Sequence, residues 1–134
     1  MCGIAGHIKT ASEDHADQTL VQRMARMLRH RGPDGFGIFN GGQTVLGHSR
    51  LSIIDLAGGR QPLSNESGTV WIVFNGEIFN YIELTEILKA KGHRFSTRSD
   101  TETIVHLYEE YGIQCLEKLN GQFALAIWDT RSRE

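Results

Sequence analysis

The sequence predicts an α+β domain, with helices layered on antiparallel sheet. Short strand-like runs come first, in the middle and last, with helices between them, in the order strands, helix, strands, helices, strand. Consecutive strands are joined by short Asn/Gly turns, which only antiparallel neighbours permit. The run "GQFALAIWD" near the end is apolar on both faces and so is expected inside a covered sheet.

Taken in order, "GIAGHI" reads as an apolar strand directly behind Cys2. "DQTLVQRMARMLRHRG" places Leu20, Val21, Met24, Met27 and Leu28 at helical spacing, and Gly32-Pro33 ends the helix. "GFGIF" and "TVLGHSRLSII" read as strands joined through Asn40-Gly41-Gly42, a type I′ hairpin signal. "DLAGGRQPLSNESG" is a polar loop, and "TVWIVFNGE" is a strand ending in Asn-Gly. "NYIELTEILKAKG" is a helix capped by Asn80, with Glu83 three residues on, and closed by Gly92. The next helix begins at a Ser99-x-x-Glu102 capping box, where Asp100 competes for the cap. Its apolar face is Ile104, Leu107, Tyr108 and Tyr111, and Gly112 stops it. "QCLEKL" adds a helical turn or two, with Cys115 expected in the core. "DTRSRE" reads as a hairpin turn with no following strand, so the chain is expected to be a fragment, truncated at its C-terminus.

Composition narrows the function classes. The chain has 134 residues, 40% hydrophobic and 22% charged, with a formal net charge of −2. No basic cluster suggests nucleic acid, and no apolar run is long enough to span a membrane. "MCGIAGHIKT" lacks the build of a signal peptide, so a cytoplasmic location is expected. The 2 cysteines fit no zinc spacing. The 6 histidines are scattered without an H-x-x-x-H pair, so no metal site is expected.

Four stretches carry chemistry. Cys2 follows the start methionine and, once Met1 is removed, would hold a thiol and a free α-amine on one residue. Their ordinary pKa values, roughly 8.5 and 7.7–8.0, would let the amine act as base for the thiol. As an alternative, Cys2 is a small hydrophobe opening a strand. In "FNGE", the Asn75 amide and the unhindered Gly76 N–H would hold an oxyanion, though Asn-Gly is equally a turn pair. Arg50 would clamp a carboxylate through its planar fork, or is a surface arginine. Asp100 at a helix start would bind an ammonium, or is a plain cap. Together these groups suit a free amino acid with a reactive side chain.

"MCGIAG", "RHRGPDG", "GHSRLSIIDLAGGRQPL", "FNGEIFNY", "FSTRSDTE" and "LNGQFALAIWD" occur in a specific order. In that order the chain resembles the N-terminal glutaminase domain of bacterial-type, glutamine-hydrolysing asparagine synthetases. These are class II glutamine amidotransferases of the N-terminal nucleophile hydrolase fold. The resemblance implies a four-layer αββα sandwich over residues 1–134, incomplete at the C-terminus, with the synthetase domain absent. It implies Cys2 as nucleophile with its α-amine as base, and Asn75 and Gly76 as the oxyanion hole. Arg50 would bind the α-carboxylate of L-glutamine, and Asp100 with Glu77 its α-ammonium. Leu51, Ser52, Ile53 and Ile54 would line the same pocket, and "GGRQPLSNESG" would be a mobile loop beside it. No cofactor is implied in this domain; ATP and Mg are expected only in the synthetase domain, which is also the expected partner in the parent chain. A homodimer is compatible with the resemblance. Two other readings are an amidotransferase for another carboxylate acceptor, and a non-catalytic ligand-binding scaffold of the same fold. "RHRGPDG" matches the family pattern without disclosing what each residue does.

Overall fold

The computed structural model describes residues 1–10, 14–52 and 58–134. Among these, the strands are β1 (Gly3–Ile8), β2 (Gly35–Asn40), β3 (Thr44–Arg50), β4 (Leu63–Ser64), β5 (Val70–Ile78) and β6 (Gly121–Asp129). The helices are α1 (Gln18–Met27), α2 (Tyr81–Ala90) and α3 (Asp100–Tyr111). Short 3₁₀ segments follow α1 at Leu28–His30 and α3 at Gly112–Lys118. No helix of the described residues is long and apolar enough to cross a membrane.

The described strands form two antiparallel sheets, ordered β1-β3-β2 and β4-β5-β6. Strand periodicity distributes their side chains between layers. On β3, Val45 packs with Val21 of α1, while Leu46 packs with Val73 of β5 and Trp128 of β6. On β5, Val70, Ile72, Phe74 and Ile78 pack against Ile104 and Val105 of α3, while Val73 faces the first sheet. The layers are therefore α1, first sheet, second sheet, then α2 and α3: the αββα sandwich that the resemblance implies. Phe39 and Trp71 stack across the sheet interface with centroids 4.2 Å apart.

Several local expectations are corrected. α1 is capped by Asp17, whose side chain accepts from Leu20 N at 2.9 Å. Its buried residues are Val21 and Ala25, whereas Leu20, Met24 and Met27 are exposed. The cause is close approach: a Cβ on Gly47 would stand 2.8 Å from Val21 Cγ1 and 3.2 Å from Ala25 Cβ, so only a narrow stripe of the helix meets the sheet. The β2–β3 hairpin has a positive φ at Gly42 alone, so it is not the type I′ turn, which needs two. The polar loop contains β4, paired with Trp71 and Ile72; its residues 55–57 lie outside the described residues.

Asn75-Gly76 is not a turn. β5 runs through both, paired with Ala124 and Phe123 of β6. A Cβ at Gly76 would lie 2.3 Å from Gln122 O, so close strand approach requires glycine here. Asn80 precedes α2 without capping it through its side chain; its amide instead ties Lys118 O and Asn120 N. Ser99 caps α3 by accepting from Thr101 N, but Glu102 does not complete the box. Glu102 turns instead to Ser96 and Thr97, accepting from the backbone N–H and hydroxyl of each. α3 is also buried beyond its apolar face, with Thr101, Glu102, Thr103 and His106 all inaccessible. Cys115 is buried in a cluster with Leu84, Leu88 and Leu107. β6 pairs with β5 among the described residues, and its first half, Gln122 to Ala124, is exposed rather than covered.

Candidate active site

A cavity of about 400 Å³ opens where the edges of the two sheets meet the start of α3. Cys2, Arg50, Leu51, Asn75, Gly76, Glu77 and Asp100 line it. Met1, 65% exposed, lines it too. The sequence-predicted residues come from four separate stretches, and the fold gathers them at one place. Ser52 lies next to this group, and Ile53 and Ile54 lie outside the described residues.

Cys2 stands just before β1 and is tied to the end of β3. Leu51 N donates to Cys2 Sγ at 3.3 Å, and Sγ lies 3.6 Å from Leu51 O. Antiparallel register produces this contact: Gly3 pairs with Ser49, so residue 2 lies level with the exit of β3. Arg50 ends β3 with its side chain on the face turned to the second sheet, and it is 8% exposed.

The "RHRGPDG" segment buttresses this corner. Arg31 Nε donates to Cys2 O at 3.1 Å, holding the backbone of the thiol-bearing residue. Asp34 accepts from Ser52 N at 2.8 Å, and its own N–H donates to Arg50 O at 2.9 Å. A Cβ on Gly32 would fall 2.1 Å from Ser49 O, so the segment lies directly on the β3 backbone. These positioning roles were not legible in the sequence. The signal was present as clustered Arg, Gly, Pro and Asp, but only the tertiary register says what they touch.

Asn75 and Gly76 sit on β5, whose backbone is held from both sides at Phe74. Phe74 N donates to Gln61 Oε1 at 2.6 Å, and Gln61 Nε2 donates in turn to Thr101 Oγ1 at 3.3 Å. His48 Nε2 lies 3.2 Å from Phe74 O. Burial lowers the His48 pKa to about 4, against the raising effect of that carbonyl and with some help from the Arg50 charge. The ring is therefore neutral at pH 7 and donates from Nε2. Gln61, His48 and Thr101 lie in stretches that carry the resemblance but had no role assigned, because periodicity alone cannot place them.

Asp100 is 4% exposed and accepts from Ile78 N at 3.1 Å. Burial pushes its carboxyl above the usual aspartate range, and the Glu77 charge adds to the rise, while the Ile78 and Thr101 amides oppose it. The cavity thus has a guanidinium, a pair of carboxylates, a thiol, an amide and a glycine backbone on one wall system. In charge and polarity that set matches a zwitterionic amino acid.

The chain is similar to known proteins in sequence and in fold. The family model "Glutamine amidotransferase domain" matches residues 1–134. Asparagine synthetase [glutamine-hydrolyzing] 1 of Bacillus subtilis is 49% identical over 131 residues, covering 96% of this chain and 21% of that protein. The Arabidopsis thaliana asparagine synthetase [glutamine-hydrolyzing] 1 is 45% identical, covering 98% of this chain and 22% of its own length. The chain thus spans about a fifth of the curated relatives it matches. Among solved structures, the glutamine phosphoribosylpyrophosphate amidotransferase of B. subtilis superposes with a TM-score of 0.71 at 25% identity, over 96% of this chain and 35% of that one. The chain belongs to the glutamine amidotransferase domain family, and is homologous to the glutaminase half of asparagine synthetases.

Proposed function

We propose that this chain hydrolyses the side-chain amide of L-glutamine and that its parent protein uses the ammonia to make asparagine from aspartate in an ATP-dependent synthetase domain. The observation that carries the reading is the gathering of Cys2, Asn75, Gly76, Arg50, Glu77 and Asp100 on one cavity. Arg50 binds the α-carboxylate, and Asp100 with Glu77 the α-ammonium, which leaves the side-chain amide directed toward Cys2. Removal of Met1 exposes the α-amine. The amine takes the thiol proton through a water, and Sγ attacks the amide carbon. Negative charge on the carbonyl oxygen is held by the Asn75 side chain and the Gly76 N–H. The C–N bond breaks as the amine returns its proton to the leaving nitrogen. Ammonia departs and a thioester remains. Water then attacks, giving up its proton to the amine, and glutamate is released as the thiol re-forms.

The synthetase activity belongs to a further domain of the parent. ATP and Mg serve that domain, not this one. The segment around Gly59 and Gln61 lines the cavity and shields the thioester from bulk water. The reading places the parent in the cytoplasm and is compatible with a homodimer. Glutaminase assay of the Met1-processed chain tests the reading: Cys2→Ala abolishes glutamate release while glutamine binding persists. Release at the unmodified rate would rule out Cys2 as nucleophile.

A further inference from the structure

His93, His106 and Glu109 form a cluster that the glutamine chemistry does not use, and none of them lines the cavity. His93 follows α2, while His106 and Glu109 share a face of α3. Their ligand atoms converge. His106 Nδ1 is 2.7 Å from Glu109 Oε2 and 3.2 Å from His93 Nδ1, and His93 Nδ1 is 3.7 Å from Glu109 Oε2. Tetrahedral zinc, with metal–ligand bonds of about 2.0–2.2 Å, sets neighbouring ligand atoms about 3.3–3.6 Å apart. The triangle brackets that spacing. Two ring nitrogens facing each other at 3.2 Å either share one proton, as an N–H···N hydrogen bond, or share a metal ion. One proton is the minimum; a divalent ion satisfies all three atoms together.

The surrounding groups are those that orient metal-bound imidazoles. His93 Nε2 is 3.0 Å from Glu110 Oε1. His106 Nε2 is buried without a hydrogen-bond partner among the described residues and faces Glu102 Oε1 at 3.9 Å. Asn65 Nδ2 donates to Glu109 Oε1 at 2.7 Å, which turns the other carboxylate oxygen toward the rings. His93 and Glu109 thus each have an outer partner, a carboxylate behind the imidazole and an amide behind the carboxylate, while His106 Nε2 faces Glu102 without bonding it. Lys91 bonds Glu110 at the outer edge. His106 is inaccessible, while the side chains of His93 and Glu109 keep 15% and 22% exposure, so one side is open to solvent.

We propose that His93, His106 and Glu109 bind a divalent transition-metal ion of the zinc class, with water in the fourth position. The site departs from the expectation of no metal, because the two histidines are 13 residues apart and only the α2–α3 hairpin unites them. Its effect is structural. The ion ties His93, just after α2, to His106 and Glu109 of α3.

The test is titration of the untagged, chelator-stripped chain with Co²⁺, followed by visible absorption and zinc displacement. It is run in the Cys2→Ala background, which removes the thiol that would chelate a metal at the N-terminus. One equivalent is expected, with the intense bands of four-coordinate cobalt, no thiolate charge-transfer band, and bleaching by zinc. His93→Gln and Glu109→Gln, each shown to be folded by circular dichroism, weaken binding by more than about 100-fold. Glu110→Gln, at the carboxylate behind His93, weakens it by about 10–100-fold. Failure of the Cys2→Ala chain to bind one equivalent overturns the proposal, as does binding that survives both His93→Gln and Glu109→Gln unchanged.

Discussion

Asn75 and Gly76 act as a pair because β5 carries them past β6 without turning, and Gln61 and His48 hold the preceding peptide. Asn75→Ala is therefore expected to lower glutamine turnover by about 10²–10³ with little change in KM, as for one lost oxyanion donor. A change confined to KM would make Asn75 a binding residue instead. Arg50→Leu leaves a substrate carboxylate unpaired in the cavity, and glutamine affinity measured by calorimetry should fall steeply. Asp100 adds a pH dependence. Its folded pKa is raised, chiefly by burial, so it becomes protonated at a higher pH than an ordinary aspartate. KM for glutamine should thus rise early on acidification, and Asp100→Asn should remove that rise while weakening binding at neutral pH. At this scale the sequence was informative where one residue carries its own chemistry, as Cys2, Arg50 and Asp100 do. It misled where a pair has a stronger local habit: Asn-Gly reads as a turn, and only the cross-strand approach at Gly76 makes it strand.

The first element to consider is the corner from Arg31 to Asp34, which joins Cys2 to the end of β3 through Arg31 Nε and the Asp34 carboxylate. Gly32→Ala would press a methyl group against Ser49 O and lift this corner. Hydrolysis should drop about 10²-fold although no substrate contact is changed, because ångström displacements of reacting groups cost that much. Chain folding by circular dichroism should be retained; loss of activity only through unfolding would contradict the positioning role. α3 shows a different limit. Its apolar stripe was readable from Ile104, Leu107, Tyr108 and Tyr111, but the burial of Glu102 and His106 was not. Their partners Ser96, Thr97 and Glu109 lie on a preceding segment and one helical turn on. Burial alone would push the Glu102 carboxyl up; the His106 ring and the Thr97 and Ser96 donors outweigh it and hold it at about 2. In α1, periodicity overstated the buried face, because the small residues Ala25 and Gly47 bring helix and sheet so close that Met24 and Met27 are left outside.

Across the whole molecule, the two sheets are joined by Leu46, Val73 and Trp128, and this interface also buries His48. Leu46→Ala should cost about 2–5 kcal/mol, read as a lowered denaturation midpoint. His48 gives the fold an acid sensitivity. Its pKa is about 4 folded and 6.5 as the ordinary value, so the unfolded chain binds the extra proton first. Stability contributed by the neutral ring is complete above about pH 6.5 and is lost as pH falls toward 4. His48→Gln should flatten that part of the stability–pH curve. The α+β class and the order of elements were legible because helix caps, Asn/Gly turns and alternation are local signals; the layering followed from the resemblance, and the register that places Cys2 beside Leu51 is a property of the assembled sheet. The central claim is that Cys2, freed of Met1, is the nucleophile of a glutamine site. Intact-mass spectrometry of the purified chain, before and after an electrophilic glutamine analogue, tests it most directly. The account predicts loss of the methionine mass and a single adduct on Cys2, with Cys115 spared because burial both hides its thiol and raises its pKa. A methionine-free, folded chain that takes no adduct at Cys2 would contradict it.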